Sequence, residues 1–399
     1  MKDIRIFFRV SVFLTLSIIY GCSDSDSKQN SLVTGESFAV IAGVASDYSS
    51  SEISIANTAS PYDVIEGYAA QSLSDITVAT YGEQFYRIGR FNQDNITKYD
   101  FNNPSLVQWQ FLTDDPASSP SNPYDLVFVS MTKAYVIRYG APSIWIVDPS
   151  VKSSEGDLFK VGEIDLSAYD SDGIPQMSAA ILHNNRLYVV MQVMDASFIP
   201  GDAYLAVIDT ITDQEIDLDS EPLNGMQLNI KNPVELDIVD DSLLIAGAGR
   251  YERWWVPAPA EFTGGIEKIN INNFSSEILV DDGDEDTNPY GNINGMVLVS
   301  STLGYFKGEA STGSSTNEAN VYQFNPSNGV VTEPLTELAD LDIQDMAVSP
   351  QGELWVGIGD ASSPQIHIID TNDNSIIDSI ALSSNPSKIV FTSTINLLD

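Results

Sequence analysis

The sequence predicts an all-β fold, a seven-bladed β-propeller closed by pairing its C-terminal strand with the N-terminal blade, and three observations lead there. Short apolar runs with the alternation of half-buried strands recur in groups of four, at a period of roughly 50 residues. Similar phrases return at matching places in successive groups. The first group is one strand short, and the C-terminus has one strand to spare.

The last complete group, Asp342 to Leu382, sets the pattern. Its runs are Met346–Ser349, Glu353–Ile358, Gln365–Ile369 and Ile376–Ala381, divided by turn residues at Pro350-Gln351-Gly352, Asp360–Pro364 and Asp370–Asn374. Each run is too short for a helix. A lone four-stranded meander cannot bury both faces, so copies on either side are needed.

Taken in order, the chain supplies them. Lys2, Arg5 and Arg9 precede an apolar stretch, Val10–Tyr20, and then the chain's single cysteine, Cys22. Ile18-Ile19-Tyr20-Gly21-Cys22 resembles the lipobox of bacterial lipoproteins. This implies a signal peptide over 1–21, lipid on Cys22 and a membrane-anchored protein of the cell envelope, with the outer membrane expected; a plain secretory signal fits the same residues. The Ser/Asp-rich residues 22–36 read as a flexible tether, and 37–399 as one domain. Phe38–Gly43, Glu52–Ala56 and Tyr62–Gly67 give the N-terminal group only three strands. Four-run groups then open at Ile76, Leu126, Ala179, Val234 and Gly295. Asn-Pro pairs introduce first strands at Asn122-Pro123, Asn232-Pro233, Asn288-Pro289 and Asn385-Pro386, and the last opens Ser387–Thr392, a first strand with no group after it. Joined to the N-terminal group, it closes the ring and removes exposed edges.

The third strands enter their turns as Ile144–Ser150, Leu205–Ile211, Val321–Ser327 and Ile366–Asn372. With Pro350-Gln351-Gly352 before a second strand and Val207–Thr210 in a third, the chain resembles the YVTN-type, YncE-like seven-bladed propellers over about residues 37–392. The resemblance implies the fold and a central channel lined by first strands; propellers of this kind host many activities.

The charge of −38, from 18 Lys+Arg against 56 Asp+Glu, excludes nucleic acid as a partner, because such a surface repels polyanions. Aligning the groups on their second strands places Asp75, Asp125, Ser178, Glu235, Gly295, Asp345 and Ser387 at equivalent positions near the channel mouth, with Asn294 and Lys388 adjacent. Asp75, Asp125, Glu235 and Asp345 would make a hard-oxygen site for Ca2+ or Mg2+; a merely hydrated polar lining is the plainer expectation for the same positions. Asp281–Asp286 has the one-three-five spacing of an EF-hand loop, but Thr287 stands where that loop needs glycine and Ile293 where it needs glutamate, so a solvated acidic turn is expected. The chain's two histidines, His183 and His367, fall on different strands, which argues against a His-based metal site or a Ser-His-Asp triad.

The long loop Ala248–Gly264 carries Arg250, Tyr251, Arg253, Trp254 and Trp255, residue types that interface hot spots favour. Packing of its tryptophans back onto their own blade is the alternative. Loops Val193–Asp202 and Glu309–Ala319 would rise from the same face. The functional expectation is a monomeric binding or scaffolding module for a protein or glycan partner. The alternative is a carboxylate- or metal-dependent propeller enzyme, lactonase- or lyase-like, working at the mouth.

Overall fold

A computed structural model describes residues 37–115, 120–218, 221–250, 259–309 and 318–392, all inside one compact unit spanning Leu32–Asp399. The four-run groups are antiparallel meanders. Ile76–Tyr81, Gln84–Gly89, Asn95–Asp100 and Trp109–Leu112 pair in chain order, as do Pro123–Ser130, Lys133–Arg138, Ser143–Val147 and Lys160–Asp165. The pattern continues from Met177–His183, from Pro233–Val239, from Asn292–Ser300 and from Leu341–Val348. The N-terminal strands Phe38–Val44, Ser51–Asn57 and Val64–Gln71 receive Asn385–Phe391 as their fourth partner, with Val40 opposite Val390 and Ile41 opposite Ile389. The spare C-terminal strand therefore fills the N-terminal vacancy.

Burial decides the order of strands in each meander. Second and third strands read as nearly unbroken buried runs, Leu354–Gly359 being buried throughout, because both of their faces meet neighbouring meanders. Outer strands face water on their free side and are mostly exposed, as at Ile376–Ala381. The expected outer strand Gln214–Leu218 is correspondingly short: only Gln214–Glu215 pairs, and Met226–Gln227 joins the same third strand beyond it. Asn288-Pro289 also stands farther from its strand than expected, since pairing begins at Asn292.

An apolar layer lies between each meander and the next, so stability comes from blade-on-blade packing. Tyr86, Ile88 and Trp109 meet Leu126, Val136 and Phe159 in one such layer. In another, Trp355, Ile366 and Ile368 of the last complete meander meet Ala39, Ile41 and Ile389 of the N-terminal one. Trp355 is fully buried there, edge-on to Tyr62 at 5.9 Å and to Phe391 at 5.2 Å. The first strands touch in succession, and Asn385–Phe391 touches both Leu341–Val348 and Ile76–Tyr81, so they surround a common axis. Among the described residues, no helix is long and apolar enough to cross a membrane.

Candidate functional site at the channel mouth

A local irregularity repeats around the axis. Near their N-terminal ends the first strands carry one residue more than their partners: Tyr124, between the pairs Pro123 with Arg138 and Asp125 with Ile137, is such a residue. Ser178, Val234, Gln344 and Ser387 are the same kind of bulge. A bulge turns the next side chain and strengthens the local twist, which re-aims residues at a rim. Here it brings Asp125, Ala179, Glu235, Asp345 and Lys388 to one level. Ile76–Tyr81 has no bulge, and Thr77, paired with Ile88, is its residue at that level. In Asn292–Ser300 the irregularity spans Asn294 and Gly295, with φ of +117° at Gly295 and open space where a Cβ would stand.

This geometry corrects the level assigned to three of the aligned residues. Asp75 does not join the other carboxylates, because without a bulge its strand starts later. It lies 3.5 Å from the guanidinium of Arg90 and accepts the amide N–H of Phe91 at 3.2 Å. Ser178 and Ser387 occupy the bulge itself, where their hydroxyls donate to the carbonyls of Pro233 at 2.7 Å and Ala42 at 3.1 Å.

Asp125, Glu235 and Asp345 do converge, and Lys388 stands among them. Lys388 Nζ is 3.3 Å from Asp345 Oδ1 and 3.8 Å from Glu235 Oε2. The Lys388 side chain is 32% exposed and that of Glu235 35%, yet both lie inside the ring of first strands. That enclosure penalises unpaired charge. Burial, reinforced by Asp345, Asp237 and Asp125 and opposed by Lys388, pushes Glu235 up to about 7. Burial likewise pushes Asp125 up to about 6, against the Leu126 amide and Lys388. Lys388 is raised far above its ordinary range by Asp345 and Glu235 and stays charged. Asp345 also accepts the amide N–H of Ile389 at 2.7 Å, tying its strand to the closing one. No group of three or more His, Cys, Asp or Glu among the described residues is arranged to hold a metal ion.

Beside this cluster runs an arc that the sequence reading missed. The Arg90 guanidinium sits 3.8 Å from the centroid of the Tyr124 ring, and Tyr124 stacks on Tyr139 at 4.4 Å and 14°. The Tyr139 hydroxyl donates to Gln192 Oε1 at 2.9 Å, and Gln192 Nε2 donates to the Pro233 carbonyl at 3.0 Å. The bulge lifts Tyr124 onto this surface, and left-handed backbone at Asn122 and Asn232 (φ 44° and 54°), which asparagine tolerates, leads into the strands. A usable signal was the Asn-Pro-Tyr run at 122–124, read only as a strand start. The arc offers aromatic surface and a guanidinium, with the Tyr139 hydroxyl held from behind by the buried Gln192, elements of polar-ligand recognition.

The partner-binding set of the sequence analysis fares differently. Arg250 is committed to the base of its own loop: Nη1 lies 2.9 Å from Glu261 Oε2, Nε donates to the Pro259 carbonyl at 2.7 Å, and its side chain is 17% exposed. Tyr251, Arg253, Trp254, Trp255 and Cys22 lie outside the described residues. His183 and His367 are engaged locally, with the Asn184 amide and the Ser379 hydroxyl. In the acidic turn, Asp281 and Asp284 cap backbone amides at the surface, but Asp282 is buried at 1% exposure, against the expectation of a solvated turn.

No protein-family model matches the chain, and no curated protein matches it in sequence. Among solved structures it is similar to hydrazine synthase of Kuenenia stuttgartiensis, at 13% identity and a TM-score of 0.56, over 78% of this chain and 87% of that one. It is also similar to virginiamycin B lyase from Staphylococcus aureus, at 12% identity and a TM-score of 0.50, over 80% of this chain and 91% of that one. At such identities the likeness shows the fold alone, and the fold is a β-propeller.

Proposed function

We propose that this β-propeller is a closed, seven-bladed, YncE-like binding module, exported and held by lipid on Cys22 at the bacterial envelope, which receives a protein or glycan partner at the channel mouth. The observation that carries the proposal is the arc from Arg90 through Tyr124 and Tyr139 to Gln192, fixed by stacking and hydrogen bonds beside the Lys388 cluster. Preorganised aromatic and polar groups lose little entropy on binding. A neutral, hydroxyl-rich ligand suits them, with sugar rings against tyrosine and hydroxyls at the Arg90 guanidinium, because Arg90 already faces Asp75 and the net charge of −38 repels acidic polymers. Isothermal titration of the full-length protein with polygalacturonate and with a neutral polysaccharide tests this. Saturable binding of the neutral polymer, lost in Tyr139→Ala and weakened in Arg90→Gln, is expected. No binding of either polymer would remove the glycan reading.

A second reading, a carboxylate-dependent propeller enzyme, is favoured by one observation: Glu235, pushed up to about 7 beside a charged lysine, is poised to exchange a proton at neutral pH. Its test is turnover of lactones and uronate esters by the wild type, lost in Glu235→Gln while ligand capture persists.

A further inference from the structure

At the base of the 248–264 loop the backbone crosses itself. Gly264 packs so closely that a Cβ there would lie 2.1 Å from the Gly247 carbonyl and 2.8 Å from the Gly249 nitrogen. Three polar side chains border this crossing. Asp282 accepts the Gly264 amide N–H on Oδ2 at 3.1 Å, Thr263 is the preceding residue, and Asn292 donates from Nδ2 to the Ala248 carbonyl at 2.7 Å. Asp282 and Asn292 are 1% and 0% exposed. Asp282 Oδ1, Asn292 Oδ1 and the Thr263 hydroxyl are all buried without a hydrogen-bond partner among the described residues.

Unpaired buried oxygens are costly, and an unpaired carboxylate most of all. Two of the three atoms, a carboxylate oxygen and an amide oxygen, can only accept, and the third has lone pairs to give. A cation is a partner that acceptor oxygens of this kind can share. We propose that this crossing is a calcium site, with Asp282 as the charged ligand and Thr263 and Asn292 as neutral oxygen ligands. Ca2+ accepts irregular sets of neutral and charged oxygens, whereas Mg2+ demands an octahedron and keeps its waters. The exposed acids around Asp282, namely Asp281, Asp284, Glu285 and Asp286, raise the local concentration of divalent ions. The site is separate from the channel cluster, where Lys388 already supplies the positive charge. It would tie the second-to-third-strand loop of one meander to the first strand of the next.

The test is calorimetric titration of the full-length protein with CaCl2, with thermal melts alongside. One saturable site per chain is expected, with a dissociation constant of about 10⁻⁴ to 10⁻³ M, the class of one-carboxylate extracellular modules. Asp282→Asn, which keeps an acceptor for the Gly264 amide, should weaken binding at least about tenfold, as should Thr263→Val, which keeps the charge. Asp47→Asn, at an exposed acid of the N-terminal meander, should leave the titration unchanged. Absence of saturable Ca2+ binding overturns the proposal in favour of a protonated Asp282 or an enclosed water. Equal binding by wild type and both ligand variants overturns it in favour of diffuse surface attraction.

Discussion

Lys388 lies 3.8 Å from Glu235, although one belongs to the closing C-terminal strand and the other to Pro233–Val239, three first strands away around the axis. The contact spans the channel. A lysine delivered by the last strand of the chain thus supplies the counter-charge for carboxylates from three other meanders.

Lys388→Met should therefore destabilise the ring, because Asp125, Glu235 and Asp345 would keep their enclosure and lose their cation. Breaking a fully buried pair costs about 3–5 kcal/mol; with channel water reaching a third of these side chains, about 1–2 kcal/mol is expected here. Urea unfolding measures it. An unchanged midpoint would mean that channel water alone satisfies the acids.

Stability should also fall as pH rises toward neutrality. The folded-state value of Glu235, about 7, lies above its ordinary 4.5, so between those limits the folded chain holds a proton that the unfolded chain has released. The stabilisation is complete below that window and lost as pH rises through about 7. Asp125, pushed up to about 6, acts in the same direction. Melting temperature should be higher at pH 5 than at pH 8, with a shallower slope in Glu235→Gln. Equal slopes in the two proteins would show that Glu235 titrates normally.

Deleting residues 386–399 should lower stability throughout the domain. The deletion removes most of Asn385–Phe391, the strand paired with Phe38–Val44, together with Ile389 from the layer that covers Trp355. Exposed edges and a broken apolar layer should cost several kcal/mol. A melting curve like that of the full chain would contradict closure through this strand.

Cys22→Ser should move the protein from the membrane fraction to the soluble one, since a multi-chain lipid supplies the binding energy in the proposed anchor. Fractionation of whole cells checks it, and a Ser variant still sedimenting with membranes would refute lipid attachment at this residue.

Strands were legible because alternation and turn chemistry are local, and closure because a surplus strand at one end matched a deficit at the other. The mouth was legible only in part. Bulges at Tyr124, Ser178 and Ser387 shift facing by one residue without leaving a signature in periodicity, so Ser178 and Ser387 were set one place early and Asp75 was placed in a ring it does not reach. Lys388 was seen as a neighbour of the carboxylates rather than as their partner, because its reach across the axis depends on side chains far apart in sequence. Arg250 looked free for the same reason, since its tie to Glu261 forms only when the loop closes on itself. Asp282 was hidden among exposed acids by composition, and only burial sets it apart.

The most direct test of the mouth as the proposed binding surface is hydrogen–deuterium exchange of the full-length protein with and without the neutral polysaccharide. The account predicts slowed exchange in peptides covering Arg90, Tyr124, Tyr139 and Gln192, at the first-strand ends and the residues that follow the second strands. Protection confined to the 248–264 loop, with those peptides unchanged, would contradict it and return recognition to Trp254 and Trp255.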